Sequence, residues 1–213
     1  MSTNFELAHA KTALLVIDLQ NFFMAEGMPA QIPSARDIVG RVNTLAAAAR
    51  AHGAPVIWMK MTFGPHDTGW TAFDRMRTDR QNEARKTMLR AGHPGHDIYP
   101  ELEVHPSDLV LEKTRFSAFT RGSSSLEDVL VSRGIDTIIV TGTATNQCCE
   151  ATARDAMMLN YRVVFVADAT AAMDDASHLA TLANVEKFVG DVVDTRDVVR
   201  ALEASTQRAP GAP

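Results

Sequence analysis

Short apolar segments alternate with segments of helical periodicity along this chain of 213 residues, and this alternation constrains the fold more than any other feature. In the first helical segment, Ile38, Val42, Leu45 and Ala49 are spaced as on one face of a helix. Six segments are apolar and rich in β-branched residues, as buried strands are: 12–17, 55–61, 108–113, 137–140, 162–166 and 192–193. Strands connected by helices predict a parallel sheet. We therefore predict an α/β fold: a single domain with an open, mostly parallel six-stranded sheet and helices on both faces.

The length of the chain suits one domain, which we expect to span residues 1–204. The segment 205–213 is predicted to be a disordered tail. The connection 64–105 is unusually long, and its middle part, 74–90, carries six basic and three acidic residues. This middle part fits either a solvated helix or a lid over a site.

One helix start has a recognisable signal. Ser124 and Glu127 match the S-x-x-E pattern of a capping box, in which the serine side chain and the glutamate side chain each satisfy a free backbone N–H. The pattern predicts a helix that opens here and runs to Gly134.

Composition and charge exclude several classes of function. A formal net charge of −5 gives no reason to expect a nucleic-acid partner. No apolar run approaches the roughly 18 to 20 residues that cross a bilayer, and the first residues lack the features of a secretory signal. We expect a cytoplasmic protein with a small-molecule substrate and no membrane partner.

The two cysteines are adjacent, Cys148 and Cys149. A disulfide between neighbours would be strained, and two adjacent cysteines alone make a poor zinc site. The sequence therefore predicts free thiols in a reducing compartment.

Three reactive side chains follow predicted strands: Asp18, Lys113 and Cys148. Because ligands bind outside the carboxyl ends of parallel strands, we expect these side chains to meet at one edge of the sheet. Each also has a structural interpretation: Asp18 as a cap, Lys113 as a solvated edge residue and Cys148 as a small buried residue. A helix is predicted from about Cys148 to Leu159, and its first turn together with the lysine would favour a thiolate. Cys149 would point away from this site.

Three motifs carry a resemblance to a known family: Leu14-Leu15-Val16-Ile17-Asp18-Leu19-Gln20-Asn21, Lys113-Thr114-Arg115-Phe116-Ser117-Ala118-Phe119 and Val140-Thr141-Gly142-Thr143-Ala144-Thr145-Asn146-Gln147-Cys148. With them the chain, from about Lys11 to Leu202, resembles the isochorismatase-like cysteine hydrolase superfamily. The resemblance implies a three-layer, Rossmann-like fold and a homo-oligomer, either dimer or tetramer. We predict no cofactor.

The resemblance further implies a catalytic triad at Asp18, Lys113 and Cys148, which cleaves a C–N bond through a thioester. The backbone N–H groups of Ala144 and Cys148 would form an oxyanion hole beside a cis peptide bond between Thr143 and Ala144. Gln20 and Asn21 are expected to order the Asp18 loop.

Differences from individual relatives narrow the function to a small amide, ureido or carbamoyl substrate. Isochorismatases, which hydrolyse a vinyl ether, have glycine at the position of Cys148, so ether hydrolysis is the alternative activity, and a non-catalytic scaffold is a third. Nicotinamidases hold a metal with an Asp-x-His pair after the second strand, which this chain lacks. His66 with Asp67 is a poor substitute, and His93 and His96 give only a weak indication of metal, so we predict no metal site.

Substrate contacts are harder to assign. Arg115 could pair with a substrate carboxylate or form a structural ion pair at the edge of the sheet. The remaining candidates for substrate contact are four aromatic residues and one threonine: Phe23, Trp70, Phe116, Phe119 and Thr143. The aromatic ones could equally belong to the core.

Overall fold

The computed structural model describes Leu7, residues 11–64 and residues 69–207. Six strands in these ranges form one parallel sheet, in the order β3-β2-β1-β4-β5-β6. The strands are β1 (Thr12–Ile17), β2 (Val56–Met61), β3 (Leu109–Lys113), β4 (Thr137–Thr143), β5 (Arg162–Ala171) and β6 (Asp191–Val193). The predicted open, parallel, six-stranded sheet is confirmed.

The order of the strands reverses between β1 and β4. From β1 the chain continues to β2 and β3 on one side, and from β4 to β5 and β6 on the other. The register pairs Ile17 with Gly142, so the carboxyl ends of β1 and β4 lie side by side. This reversal is the place where open α/β sheets bind ligands.

Helices cover both faces of the sheet, as predicted. They are α1 (Asn21–Met24), α2 (Val39–Ala51), α3 (Thr71–Asp74), α4 (Asp79–Met88), α5 (Leu126–Ser132), α6 (Glu150–Met158), α7 (Asp175–Phe188) and α8 (Thr195–Gln207). The core cluster on one face includes α2 and α8, and the cluster on the other includes α5, α6 and α7. Strand β1 is buried throughout because alternate residues enter the two clusters, for example Val16 one and Ile17 the other.

An aspartate whose side chain is 1% exposed fixes the amino-terminal side of β3 to its neighbours. Asp108 accepts hydrogen bonds from Arg50 Nε at 2.8 Å, Arg50 Nη2 at 2.7 Å and Trp58 Nε1 at 2.8 Å. It also accepts one from the backbone of His105. Burial opposes the charge on Asp108, but these hydrogen bonds and the guanidinium prevail, and its pKa is lowered.

The predicted capping box at Ser124 and Glu127 is wrong. The Ser124 hydroxyl donates to the carbonyl of Ala118 at 2.7 Å and accepts from the N–H of Leu126 at 3.1 Å. Because the hydroxyl is already engaged in this turn, it does not cap the N–H of Glu127, and α5 begins at Leu126.

The long connection contains α3 and α4, and a capping box occurs here instead. The Thr78 hydroxyl accepts from the N–H of Gln81, while the Gln81 side chain accepts from the N–H of Thr78. At the other end of the chain, α8 runs to Gln207, so the first three residues of the predicted tail lie in a helix, and 208–213 lie outside the described residues. No helix in the described ranges is both long and apolar enough to cross a membrane.

Candidate active site

Asp18 is buried at the carboxyl end of β1, next to the reversal of strand order. Its side chain is 1% exposed. Its backbone has a positive φ of 53°, a conformation that aspartate tolerates better than most residues. The turn directs the chain out of the sheet immediately after the strand.

Gln20 holds this turn in place. Its amide nitrogen donates to the carbonyls of Met61 at 3.1 Å and His96 at 2.9 Å, and its amide oxygen accepts from the N–H of Met61 at 2.8 Å. Asn21 Nδ2 donates to the carbonyl of Pro94 at 2.9 Å. These contacts join the end of β2 and the 3₁₀ turn Pro94–His96 to the Asp18 loop, in agreement with the predicted ordering role.

Lys113, the last residue of β3, reaches Asp18 across the end of the intervening strand. Its side chain is fully buried, and Nζ donates to Asp18 Oδ2 at 2.7 Å and to the carbonyl of Arg115 at 3.1 Å. Burial alone would lower the pKa of Lys113, but the charge of Asp18 and the nearby Cys148 outweigh burial and raise it. The ammonium therefore stays protonated.

Asp18 is a stronger base than an ordinary carboxylate. Burial raises its pKa, and the Lys113 ammonium and hydrogen bonding oppose this rise only in part. Its second oxygen, Oδ1, is buried without a hydrogen-bond partner among the described residues. The Cys148 thiol lies close enough for the thiol and the carboxylate to shift each other's pKa. The carboxylate thus has a lone pair available beside a thiol.

Cys148 lies in a π-helical turn, Thr145–Cys149, which continues into α6. The expectation of a lowered thiol pKa is wrong. Burial, and then the charge of Asp18, raise the pKa of Cys148 well above its usual value, and the opposing effect of Lys113 is smaller. The cysteine is 5% exposed, so the cost of desolvating a thiolate exceeds the help from one cation and a helix start. The resting group is a protonated thiol.

Cys149 is turned to a different environment. It is completely buried in the core cluster that includes α5, α6 and α7, and its Sγ lies 3.8 Å from the carbonyl of Thr141. It is absent from the lining of the cavity that Cys148 enters. The predicted separation of the two thiols is observed.

Helix α7 supports the turn that carries Cys148. Thr145 Oγ1 and His178 Nδ1 are 2.9 Å apart, and the Thr181 hydroxyl donates to Glu150 Oε2 at 3.2 Å. These two contacts bracket the turn and restrain the position of the thiol.

A cavity of about 300 Å³ opens onto Asp18 and Cys148. This volume is at the lower end of the range for small-molecule sites, about 300 to 1,000 Å³. Thr143 and Ala144, at the end of β4, line the same part of the cavity. Six aromatic residues contribute to the remaining wall: Phe22, Phe23, Phe63, Trp70, Phe73 and Phe116.

The end of β4 presents polar atoms without partners. The peptide bond between Thr143 and Ala144 is cis. The Ala144 N–H donates to no acceptor among the described residues, and the Thr143 hydroxyl, on a residue that is 1% exposed, also has no partner there. Both groups are therefore available to a bound molecule.

Four of the six residues predicted from the sequence for substrate contact line the cavity: Phe23, Trp70, Phe116 and Thr143. The other two do not. Phe119 instead packs against Tyr161, with ring centroids 5.5 Å apart. Arg115 donates to the backbone carbonyls of Thr114 at 2.7 Å and Gly69 at 2.8 Å, a structural role close to its second interpretation.

Sequence reasoning missed the wall formed by α3, α4 and the residues between them. Arg77, Gln81 and Arg85 line the cavity from this segment. Arg85 forms an ion pair with Asp74, and its guanidinium lies 4.4 Å from the centroid of the Phe73 ring. Within α4, the spacing of Gln81 and Arg85, four residues apart, was the available signal for a shared face.

The histidines considered for metal binding have other contacts. His96 is buried, with Nε2 2.7 Å from the Thr62 hydroxyl, and His93 Nδ1 accepts from the N–H of Gly95. His66 and Asp67 lie outside the described residues. Within the described ranges, no group of three or more His, Cys, Asp or Glu side chains could hold a metal ion.

Comparison with known proteins identifies relatives along most of the chain. The family model described as the isochorismatase domain matches residues 12–197. Ureidoacrylate amidohydrolase RutB from Methylobacterium radiotolerans is 33% identical, over 95% of this chain and 84% of that protein. RutB from Pseudomonas savastanoi pv. phaseolicola is 35% identical, over 88% of this chain and 82% of that protein.

Solved structures share the fold. A cysteine hydrolase from Pseudomonas syringae pv. phaseolicola superposes with a TM-score of 0.85 at 30% identity, covering 95% of this chain and 97% of that one. N-carbamoylsarcosine amidase from Thermoplasma acidophilum gives a TM-score of 0.69 at 28% identity, covering 87% of this chain and 96% of that one.

Proposed function

The chain belongs to the isochorismatase family of hydrolases, and from this premise we propose that it is a cysteine amidohydrolase that cleaves the C–N bond of a small amide, ureido or carbamoyl compound. One observation carries the proposal: Asp18, which is hydrogen-bonded to Lys113, lines a cavity of small-molecule size together with Cys148. Two of the relatives, a ureidoacrylate amidohydrolase and an N-carbamoylsarcosine amidase, support this class of substrate.

In the first half of the proposed reaction, Asp18 removes the thiol proton as Cys148 attacks the substrate carbonyl carbon. A C–S bond forms, and the carbonyl electron pair moves to oxygen. When this pair returns, the C–N bond breaks and Asp18 passes its proton to the leaving nitrogen. The raised pKa of Asp18 suits both transfers, since a weakly basic carboxylate would not take a thiol proton.

In the second half, water attacks the thioester while Asp18 accepts one of its protons. The C–S bond breaks, the acid product leaves, and the proton returns to Cys148. Lys113 keeps its charge throughout, stabilises the transient thiolate and fixes Asp18 through the 2.7 Å contact. Lys113 therefore lowers the energy of the thiolate during the reaction, although the thiol remains the more stable form in the free enzyme.

The negative charge that develops on the substrate oxygen needs hydrogen-bond donors. We assign this role to the backbone N–H groups of Ala144 and Cys148. The Ala144 N–H lacks another acceptor among the described residues, and both residues line the cavity. Loss of one such donor typically slows a reaction about 10²- to 10³-fold. The Thr143 hydroxyl is a further donor toward the substrate.

We also propose that the protein works as a homo-oligomer in the cytoplasm. Large apolar side chains are exposed on its outer helices: Met158 is 65% exposed, Leu179 63% and Phe188 58%. Such groups favour association between copies. Light scattering coupled to size-exclusion chromatography measures the number of subunits, and a monomer at micromolar concentration would contradict this part.

The test compares two neighbouring thiols. Ammonia or amine release is measured over a panel of primary amides, carbamoyl amino acids and ureido acids with the wild-type protein, Cys148→Ala and Cys149→Ala. We expect Cys148→Ala to lose roughly 10⁴-fold or more in kcat and Cys149→Ala to retain turnover. Mass spectrometry of the wild-type protein during turnover should detect an acyl adduct on Cys148.

Two outcomes would contradict the proposal. If Cys148→Ala hydrolyses amides as fast as the wild type, no thioester is formed. If neither variant nor wild type acts on any C–N substrate but all three cleave a vinyl ether, the isochorismatase-type activity is correct instead.

A further inference from the structure

One arginine in the cavity has no carboxylate partner among the described residues. The ionisable residues of the lining are Asp18, Arg77, Arg85 and Cys148. Asp18 and Arg85 each have a partner of opposite charge outside the cavity. The thiol is neutral at rest. The charge of Arg77 is therefore the one that these pairs leave uncompensated.

The Arg77 guanidinium stacks on an aromatic ring and forms no ion pair with a carboxylate of the described residues. Its guanidinium lies 4.5 Å from the centroid of the Phe73 ring, and its only hydrogen bond within the described chain is a long one, 3.3 Å, to the carbonyl of Met76. Stacking leaves the edge of a guanidinium open, and this edge carries the N–H pair that binds carboxylates in a bidentate manner. The side chain is half-buried, so a bound anion would be partly shielded from solvent.

Gln81 adds a neutral donor on the same wall. Its amide oxygen is engaged in the capping box with the Thr78 backbone and hydroxyl. The NH₂ end of the amide makes no hydrogen bond within the described residues. A guanidinium from the residues before α4 and an amide NH₂ from α4 thus line the cavity, as do Asp18 after β1 and Cys148 in the turn after β4.

Three aromatic residues of the lining form a compact cluster. Trp70, Phe73 and Phe116 pack against one another, with ring centroids 4.4 to 5.2 Å apart. A ligand that fills the cavity would meet these apolar rings, the carbonyl-binding groups beside Cys148, and the cationic and amide donors of Arg77 and Gln81.

We propose that Arg77 is a specificity-determining residue that selects substrates with a carboxylate at the end remote from the scissile C–N bond. This inference rests on the proposed function and specifies its substrate as an acid with a short apolar spacer. Arg115, the candidate from the sequence, does not fill this role because it binds backbone carbonyls outside the cavity.

The test uses two ureas that differ only in charge at the far end. 3-Ureidopropionate carries a carboxylate where propylurea carries a methyl group. The ratio of their kcat/KM values is measured for wild type, Arg77→Gln, Arg77→Lys and Arg80→Gln. Arg80→Gln is the matched control because Arg80 is an exposed residue of α4 that does not line the cavity.

We expect wild type and Arg80→Gln to prefer the acid, and Arg77→Gln to lose about 10- to 100-fold of that preference, mainly through KM. Arg77→Lys should recover part of it, because it keeps the charge but not the planar fork. Higher salt should reduce the preference of the wild type. Equal ratios in wild type and Arg77→Gln, or an equal loss in Arg80→Gln, would overturn the proposal.

Binding separates this inference from the proposed chemistry. Calorimetric titration of 3-ureidopropionate and propylurea into Cys148→Ala, and into the same variant with Arg77→Gln, needs no turnover. Tighter binding of the acid that disappears with Arg77→Gln supports the role of Arg77 even if the wild type fails to hydrolyse either urea. Equal affinities for both ureas in Cys148→Ala would refute it even if hydrolysis is observed.

Discussion

The buried pair of Lys113 and Asp18 should be nearly neutral for stability as a pair and costly when only one member is removed. At the observed separation of 2.7 Å and an effective dielectric constant of about 20, the attraction is about 6 kcal/mol. Desolvation of two fully buried ions costs several kcal/mol each, so the net contribution of the pair is small. One ion left alone keeps its desolvation cost and loses the compensating attraction.

We expect Lys113→Met and Asp18→Asn each to lower the free energy of unfolding by about 3 to 5 kcal/mol at pH 7. Asparagine is a suitable replacement because it tolerates the positive φ of this position. The double variant should lose much less than the sum, with a coupling energy of at least about 2 kcal/mol. Urea unfolding followed by circular dichroism measures all four proteins.

The pH dependence of the free energy of unfolding of Lys113→Met tests whether the unpaired charge of Asp18 causes the loss of stability. Without the ammonium, the pKa of Asp18 rises further above its unfolded value, so the folded state binds a proton more readily than the unfolded state. The destabilisation relative to the wild type should then grow as the pH rises above the folded pKa of Asp18 in the wild type, which already lies above the ordinary carboxyl value, and shrink as the pH falls toward that pKa. Lys86→Met is the control, since Lys86 also lies 2.8 Å from an aspartate but is 46% exposed. It should cost at most about 1 kcal/mol. Additive losses in the double variant, or a cost that does not change with pH, would refute the reasoning.

Three further predictions concern other parts of the molecule. Asp108→Asn should lower the free energy of unfolding by about 3 to 5 kcal/mol at pH 7; because its folded pKa is lowered, the difference from wild type should disappear as pH falls through that pKa, in denaturation curves from pH 7 to 2. The acid limb of kcat/KM should lie above the ordinary carboxyl pKa of 3.8 because Asp18 must be ionised, and a limb at or below 3.8 would contradict its role as base. Gly142→Ala should prevent stable folding, because φ is +112° and a Cβ would lie 2.1 Å from the carbonyl oxygen of Ile17; Gly40→Ala, in α2 with nothing within 4 Å, should instead raise the unfolding midpoint, as thermal scans of both variants would reveal.

The parallel sheet and the proximity of Asp18, Lys113 and Cys148 could be predicted from the sequence. Both depend on the hydrophobic pattern of the strands and on the order of strands and helices along the chain. Residues 12–17 are apolar throughout, which is typical of a strand covered on two faces, and the structure covers β1 on both. Asp18 and Lys113 follow or end strands, and parallel strands bring such positions to one edge. No side-chain detail is needed for this inference.

The thiol pKa and the capping box could not be obtained in the same way. A helix start and a nearby lysine are visible in the sequence and favour a thiolate at Cys148. The burial that outweighs them depends on the packing of both faces. At Ser124, the local pattern is overridden by the carbonyl of Ala118, six residues earlier, to which the hydroxyl donates.

The part of the cavity wall formed by α3, α4 and the residues between them was missed for a different reason. Arg77 and Gln81 belong to a segment whose charged residues give no apolar period, so the pattern of a buried face is absent. Their role depends on the position of α3 and α4 over the ends of the strands, which is a matter of tertiary structure. For Arg115 the sequence left open a substrate carboxylate and a structural ion pair, and the side chain donates to the backbone carbonyls of Thr114 and Gly69.

The order of the strands determines when the site can assemble during folding. Asp18 and Lys113 are 95 residues apart in sequence, and β3 lies at the edge of the sheet, separated from β1 by β2. Contacts between such distant residues form slowly, because a long loop must close first. Cys148 is even further from Asp18 in sequence than Lys113 is, so pairing of β1 with β4 and docking of β3 both require long loops to close. Catalytic activity during refolding should therefore return only when both long-range contacts have formed, and it can serve as a probe of that step.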